Sequence, residues 1–153
     1  MNDQIALEMT KAINRVADAF EKKQQVEQRS VAVPVSVHLD SNGVPDGVLI
    51  QTLDISFVLK LKDEEDGKEM NWHEATRKYK LPSKEQWMLV LIYFDQVQKC
   101  LEEAGGEKLK LDYYWSSTEY SGSYAWFVYF GGTGSTTYIT TKYYSNYVRA
   151  VAA

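Results

Sequence analysis

The chain has 153 residues, of which 44% are hydrophobic and 25% charged, and its formal net charge is −4. That length and apolar content predict one globular domain with a substantial core. The negative charge argues against a nucleic-acid binder, which usually presents a basic face, and no apolar run is long enough to span a membrane. The N-terminus lacks a basic region followed by an apolar core, so no Sec signal is predicted, which leaves a cytoplasmic or a virion-associated protein open.

The first predicted element is an amphipathic helix over residues 1–28, which Asn2 or Asp3 can cap. Its apolar side chains recur every three or four positions and form one stripe, made of Ile5, Met9, Ile13, Val16 and Phe20. A stripe on a terminal helix needs a partner. Docking on the domain of residues 29–153 and assembly of a homo-oligomer both remain open.

A long β-hairpin is predicted next, because the apolar period changes to two. Residues 31–39 alternate, and Pro34 marks that strand as an edge strand because proline cannot donate to a ladder. Residues 40–47 are dense in turn formers, and residues 53–61 alternate again. The acidic and basic run at 62–69 is predicted to be a solvated loop.

Two helix starts follow the hairpin. Asn71 with Glu74 is typical of a capping box and predicts a short helix through about Lys78, and Ser83 with Gln86 predicts a longer helix. The buried stripe of the longer helix is predicted to be Trp87, Val90, Leu91, Phe94, Val97 and Leu101, before a Gly-Gly pair ends it. Only strands and turns are predicted afterwards, so the fold class is α+β.

The sequence contains no catalytic or metal-binding pattern. His38 and His73 stand far apart without neighbouring ligand residues, and Cys100, the only cysteine, lies late in the predicted long helix, between Val97 and Leu101 of the stripe. A buried structural thiol is favoured there over a nucleophile. We therefore predict no catalytic residue, no metal site and no cofactor.

Four segments together carry a resemblance to a known family. "MNWHEATRKYKLPSKEQW" (70–87) resembles the helical core of C-type-lectin-like domains of the formylglycine-generating-enzyme type. "YYWSSTEY" (113–120), "AWFVYF" (125–130) and "VRAV" (148–151) resemble the closing strands of that fold. In this order they resemble the variable proteins of diversity-generating retroelements, including receptor-binding proteins of phages. The resemblance covers roughly residues 70–153, and the stretch before it has no match. We predict a C-type-lectin-like domain over residues 29–153 with a variable region at about 120–147.

The composition of the variable region agrees with the mutagenesis of that family, in which a reverse transcriptase miscopies adenines. Template Asn codons then diversify but cannot become Lys, Gln, Glu, Met or Trp. Between Ser121 and Tyr147 only Trp126 and Lys142 belong to these five types, whereas the types make up about a third of the residues before Ser121. Strand-rich segments favour Tyr, Thr and Ser in any case, which explains part of the depletion.

The resemblance also divides the C-terminal region into variable and fixed positions. Strand alternation agrees, since it places Trp126, Val128 and Phe130 together as core and Phe127 and Tyr129 together at the surface. The candidate variable, ligand-binding positions are Ser121, Ser123, Tyr124, Phe127, Tyr129, Gly131, Ser135, Thr137, Tyr138, Thr140, Tyr143, Tyr144, Asn146 and Tyr147. The candidate scaffold positions are Trp87, Trp115, Ala125, Trp126, Val128, Phe130, Lys142, Val148, Arg149 and Val151.

The expected function is binding of a macromolecular ligand, a protein, by the Tyr-rich C-terminal surface, without catalysis. Tyr, Ser and Gly in this mixture are what antibody paratopes use. The calcium-site motifs of sugar-binding lectins are missing, and so are the C-terminal cysteines of formylglycine-generating enzymes. Two alternatives remain open: an enzyme relative of the formylglycine-generating type, and a structural subunit of a phage or cell-surface assembly.

Overall fold

The computed structural model describes residues 2–30 and 33–153, with the side chains of residues 3–19 and 33–153. The described chain contains four α-helices and two antiparallel three-stranded sheets, which confirms the α+β class. It divides into two units, one holding the N-terminal helix and the other running from Pro34 to Ala153. Across the described ranges no helix combines the length and apolar content that crossing a membrane requires.

Helix α1 runs from Asn2 to Ser30, two residues beyond the predicted end. Its apolar stripe is uncovered, since Ile5, Met9, Ile13 and Val16 are between 54% and 70% exposed. The predicted last member, Phe20, has its side chain outside the described residues.

The first sheet is a meander of β1 (Val35–Leu39), β2 (Pro45–Gln51) and β3 (Ser56–Lys60), in that order. β1 is an edge strand, as Pro34 predicts, while residues 31–32 of the predicted strand lie outside the described residues. The simple hairpin was wrong, because β2 begins inside the predicted turn. Gly47 allows this, since a side chain there would overlap Val58 of β3.

The middle of the chain is helical, with α2 (Trp72–Lys78), α3 (Lys84–Ile92) and α4 (Phe94–Glu103). Both predicted capping boxes mark true helix starts: Asn71 caps α2, and Ser83 with Gln86 forms the complete box on α3. The single long helix was wrong, because Tyr93 (φ −105°, ψ 28°) leaves the helical conformation. This break starts α4 at Phe94, whose ring stacks on Phe130 with centroids 5.0 Å apart.

The second sheet consists of β4 (Tyr113–Glu119), β5 (Tyr124–Tyr129) and β6 (Thr136–Thr141). One face packs on α3, and there Tyr114 and Val128 join Trp87 and Val90 in the main core. Part of the opposite face packs on the segment around α2, in a second cluster that includes Trp72, Trp115, Ala125 and Val148. The remainder of that opposite face is open.

A buried ionic network joins the segment after β3 to the C-terminal segment. Asp63 is 6% exposed and accepts hydrogen bonds from Arg149 Nε at 2.7 Å and from the Tyr114 hydroxyl at 3.0 Å, and it also pairs with Lys110. Arg149, which is fully buried, donates further to the carbonyl oxygens of Leu61 and Glu107. Residues 62–69 were predicted to form a solvated loop. That prediction was wrong for Asp63, which is buried and neutralises the charge of Arg149 in the core.

Candidate ligand-binding surface

Four aromatic side chains lie together on the open face of the second sheet. The strand register pairs Tyr113 with Tyr129 and Phe127 with Tyr138, so all four project from the same side. The ring centroid of Tyr113 lies 4.9 Å from that of Tyr129 and 5.2 Å from that of Phe127, and Phe127 stacks on Tyr138 at 5.8 Å. We call Tyr113, Phe127, Tyr129 and Tyr138 the aromatic face.

The aromatic face rests on a rigid foundation. On the same side of β4, Trp115 is fully buried and donates from its indole Nε1 to the carbonyl oxygen of Met70 at 2.8 Å. Trp72 donates in the same way to the carbonyl oxygen of Ser116 at 2.8 Å. Both bonds join the α2 segment to β4, which holds the neighbouring surface in one position.

A groove opens beside the aromatic face, with a volume of about 420 Å³. It is lined by Glu69, Asp112, Tyr113, Phe127, Thr140, Tyr144, Ser145 and Asn146. Asn146 is held in place by two backbone hydrogen bonds with Met70, each 3.0 Å long. Its side-chain Nδ2 is buried and has no hydrogen-bond partner among the described residues. The groove therefore combines aromatic walls, two carboxylates and an unused amide donor.

Six predicted variable residues converge on the aromatic face and the groove: Phe127, Tyr129, Tyr138, Thr140, Tyr144 and Asn146. They differ in exposure: Tyr138 and Tyr144 are exposed, Phe127 and Tyr129 are half-buried, and Asn146 is only 6% exposed.

Other predicted variable residues occupy the turns at the sheet ends. Ser121 and Ser123 form the exposed β4–β5 turn, and Gly131 and Ser135 belong to the β5–β6 connection. Lys142 stabilises the first turn, since its Nζ donates to Glu119 and to the carbonyl oxygen of Gly122, both at 3.0 Å. The predicted scaffold role of Lys142 thus has a structural cause. Tyr143 lies just after β6 and is 82% exposed.

Three predicted variable residues lie away from the aromatic face. Tyr124 and Thr137 share the side of the sheet that carries Val128, as the β5–β6 register shows. Tyr147 is half-buried against the main core, 5.9 Å from the ring of Tyr114 and beneath the ammonium of Lys110. A ligand on the aromatic face does not contact these three side chains directly.

Among the predicted scaffold residues, Trp126 is not in the core. It shares a side with Val128 on the central strand of the sheet, but it is half-buried. The ammonium of Lys84 lies 3.6 Å from the ring centroid, and Tyr120 packs edge-on against the ring. The other predicted scaffold residues are buried: Trp87, Trp115, Ala125, Val128, Phe130, Lys142, Val148, Arg149 and Val151.

Sequence reasoning missed Tyr113, Glu69 and Asp112. Tyr113 lies on the same side of β4 as Trp115. The register of β4 with β5 places Tyr113 beside Tyr129, but the sequence alone does not give that register. Glu69 reaches the groove through the bridge between Met70 and Asn146, which joins segments far apart in the chain.

The residues with catalytic or metal-binding potential lie elsewhere. Within the described part of the chain no three His, Cys, Asp or Glu side chains come together as metal ligands. Cys100 packs against the main core on α4, and burial, followed by the charge of Glu103, raises the pKa of its thiol. A raised pKa lowers the thiolate fraction and opposes a nucleophilic role.

Comparison with known proteins adds no name to this geometry: no protein family, curated protein or solved structure matches the chain.

Proposed function

We propose that this chain is a ligand-binding protein of the kind that diversity-generating retroelements vary, with a C-type-lectin-like domain. Its aromatic face and groove bind a protein ligand, and the residues that change from copy to copy set the specificity. The observation that carries the proposal is the convergence of six candidate variable residues, read from the sequence resemblance, on the aromatic face and the groove beside it.

The physical character of this surface supports a binding role. Large aromatic side chains exposed together on a sheet are a liability unless a partner covers them. Tyrosine rings offer broad contact area at low entropy cost, while Thr, Ser and Asn supply adaptable hydrogen bonds. On β5, Phe127 and Tyr129 alternate with residues of the buried side, so these two positions can change while Val128 stays constant.

A display library tests the proposal. We would diversify Phe127, Tyr129, Tyr138, Thr140 and Tyr144 with codons limited to pyrimidine third bases, and select against a soluble protein such as lysozyme. A matched library would diversify five exposed helix positions: Glu85, Met88, Ile92, Asp95 and Lys99. We expect clones of the first library to fold and yield specific binders more often than those of the second. Widespread unfolding in the first library, or equal yields, would overturn the proposal.

The retroelement origin has its own test in the flanking DNA. We expect a near-repeat of the codons for residues 120–147, with adenines at the variable positions, close to a reverse transcriptase gene. If the flanking DNA holds neither, the retroelement part of the proposal falls, and only a binding surface remains.

A further inference from the structure

The groove is negatively charged and its charge is unused. Glu69 and Asp112 are the two charged residues of its lining, and none of the eight lining residues is basic. Neither carboxylate forms a salt bridge with any residue that the structure describes. Asp112 accepts one hydrogen bond, from the backbone N–H of Tyr113 at 2.8 Å, which orients it at the groove wall. The groove is thus complementary to a positive group.

The aromatic walls of the groove fit the same group. Cations elsewhere in the chain already lie over aromatic rings: Lys84 over Trp126, Lys110 over Tyr147, and Lys142 over Trp72. None of these described contacts uses the groove rings of Tyr113, Phe127 or Tyr144. A planar cation that stacks on an aromatic face and pairs with a carboxylate is a guanidinium, whose fork also suits bidentate bonding.

Asn146 provides a second, independent indication of a ligand. Its side chain is more than nine-tenths buried, yet Nδ2 lacks a partner among the described residues. Buried polar groups are normally satisfied, and an exception calls for an explanation. Asn146 also lines the groove, and its backbone bonds with Met70 hold it there, so an acceptor supplied by a ligand in the groove would satisfy the amide.

We propose that the groove binds an arginine side chain presented by a protein partner. The guanidinium pairs with Glu69 and Asp112 against the ring of Tyr113, and a carbonyl oxygen of the same segment accepts from Asn146 Nδ2. The inference rests on the proposed function, and it names the chemistry of the ligand for the side chains that this sequence carries at the surface. Phosphate-bearing partners are disfavoured by the same two carboxylates.

The probe for this inference is acetyl-arginine methylamide, which carries the side chain and flanking carbonyl groups. The citrulline analogue has the same shape without the charge, and the lysine analogue has the charge without the planar fork. Titrations followed by 15N-resolved NMR locate the site. We expect saturable millimolar binding with shifts at Glu69, Asp112, Tyr113 and Asn146, weaker binding of the lysine analogue, and none of the citrulline analogue.

Variants sharpen the assignment. Glu69→Gln, at an exposed position, should weaken the probe about fivefold at low salt, whereas Glu85→Gln, an exposed carboxylate on α3, should leave it unchanged. Asn146→Leu should weaken the probe while the melting temperature stays constant or rises, because the unsatisfied donor is removed. A fall in melting temperature with an unchanged affinity for the probe would show that the ligand does not use Nδ2, and would overturn the inference.

The remaining outcomes decide against the inference. Equal binding of the citrulline analogue, shifts confined to other surfaces, or an unchanged affinity in Glu69→Gln would each overturn it. If the display library still yields binders, the guanidinium site alone has failed and the proposed function stands. If that library unfolds while the arginine probe binds the groove, the failure lies with the diversified surface.

Discussion

The two faces of the second sheet use alternate residues of the same strand for opposite purposes. On the α3 side, Val128 is fully buried and Phe130, just beyond β5, is 2% exposed. On the other side, Phe127 and Tyr129 are half-buried and continue into the exposed rings of Tyr113 and Tyr138. We therefore expect stability to depend on the α3 side and on the part of the other side that packs on the α2 segment, and to depend less on the open part that carries Phe127 and Tyr129.

The fixed side gains further support from the ionic network behind it. Tyr114 belongs to the main core through its ring and to the network through its hydroxyl, which bonds Asp63. Arg149 and Val151, in the closing segment, lie in the same buried layer. The comparison of the two faces can be tested by changing residues on each in turn.

The largest expected effect comes from the ionic network. Asp63→Asn leaves Arg149 buried without a countercharge, and we expect it to lower the free energy of unfolding by about 3–5 kcal/mol. Urea denaturation measures this. Glu74→Gln is the matched control, because that carboxylate pairs with Lys78 and the two side chains are 35% and 38% exposed, so about 1 kcal/mol or less is expected. Similar costs for the two variants would show that burial does not set the value of the Asp63 pair.

The sequence did not predict this network because no local pattern marks it. Asp63 and Arg149 are 86 positions apart, and the acidic run that contains Asp63 resembles an ordinary solvated loop. Capping boxes were predictable because all their hydrogen bonds fall within four residues, as at Ser83 and Gln86. Long-range pairing of charges has no comparable local cause.

The candidate surface, too, was predictable only where a local sequence pattern marks it. Alternation along β5 correctly separated Val128 from Tyr129, since neighbouring strand residues point to opposite sides. It did not show how far each side is covered, so it wrongly placed the half-buried Trp126 in the core. The contribution of Tyr113 required the β4–β5 register, and that of Glu69 required the Met70–Asn146 bridge.

The second prediction compares neighbours on opposite faces of β5. Val128→Ala removes two buried methyl groups and should cost about 2 kcal/mol of unfolding free energy. Tyr129→Ser removes a half-buried ring on the aromatic face and should cost about 1 kcal/mol or less. Thermal and urea unfolding of both variants measure the difference. A larger loss for Tyr129→Ser would place that ring in the core and remove it from the ligand-binding surface.

The third prediction concerns alkaline pH. Burial, and secondly the charge of Asp63, raises the pKa of the Tyr114 phenol above its usual value of 10. The folded state therefore keeps this proton when the unfolded chain loses it, and the stability that Tyr114 contributes below pH 10 declines as pH rises above 10. Per pH unit the decline approaches about 1.4 kcal/mol.

Tyr114→Phe should abolish that part of the decline, although it lowers stability at neutral pH by removing the hydroxyl bonds to Asp63. Tyr143→Phe is the control, because Tyr143 is 82% exposed and its loss should leave the slope unchanged. Urea midpoints between pH 8 and pH 11 give both slopes, and these pH values lie around the reference tyrosine pKa. If Tyr114→Phe retains the wild-type slope, the hydroxyl is not shielded in the core.

The smallest expected effect tests whether positions on the aromatic side vary independently. A side chain at Gly131 would overlap the ring of Tyr129, whose hydroxyl also bonds the Gly131 carbonyl at 3.4 Å. Gly131→Ala should therefore cost about 0.5–1 kcal/mol alone and nothing in a Tyr129→Ser background, a coupling that unfolding measurements on the double-mutant cycle resolve. Gly122→Ala, where no described atom lies within 4 Å of the added carbon, should be additive with Tyr129→Ser. Additive behaviour at Gly131 would show that the ring of Tyr129 moves aside freely. Coupling would mean that a residue larger than glycine at 131 requires a smaller one at 129. Such a requirement limits the combinations that a diversified surface can use.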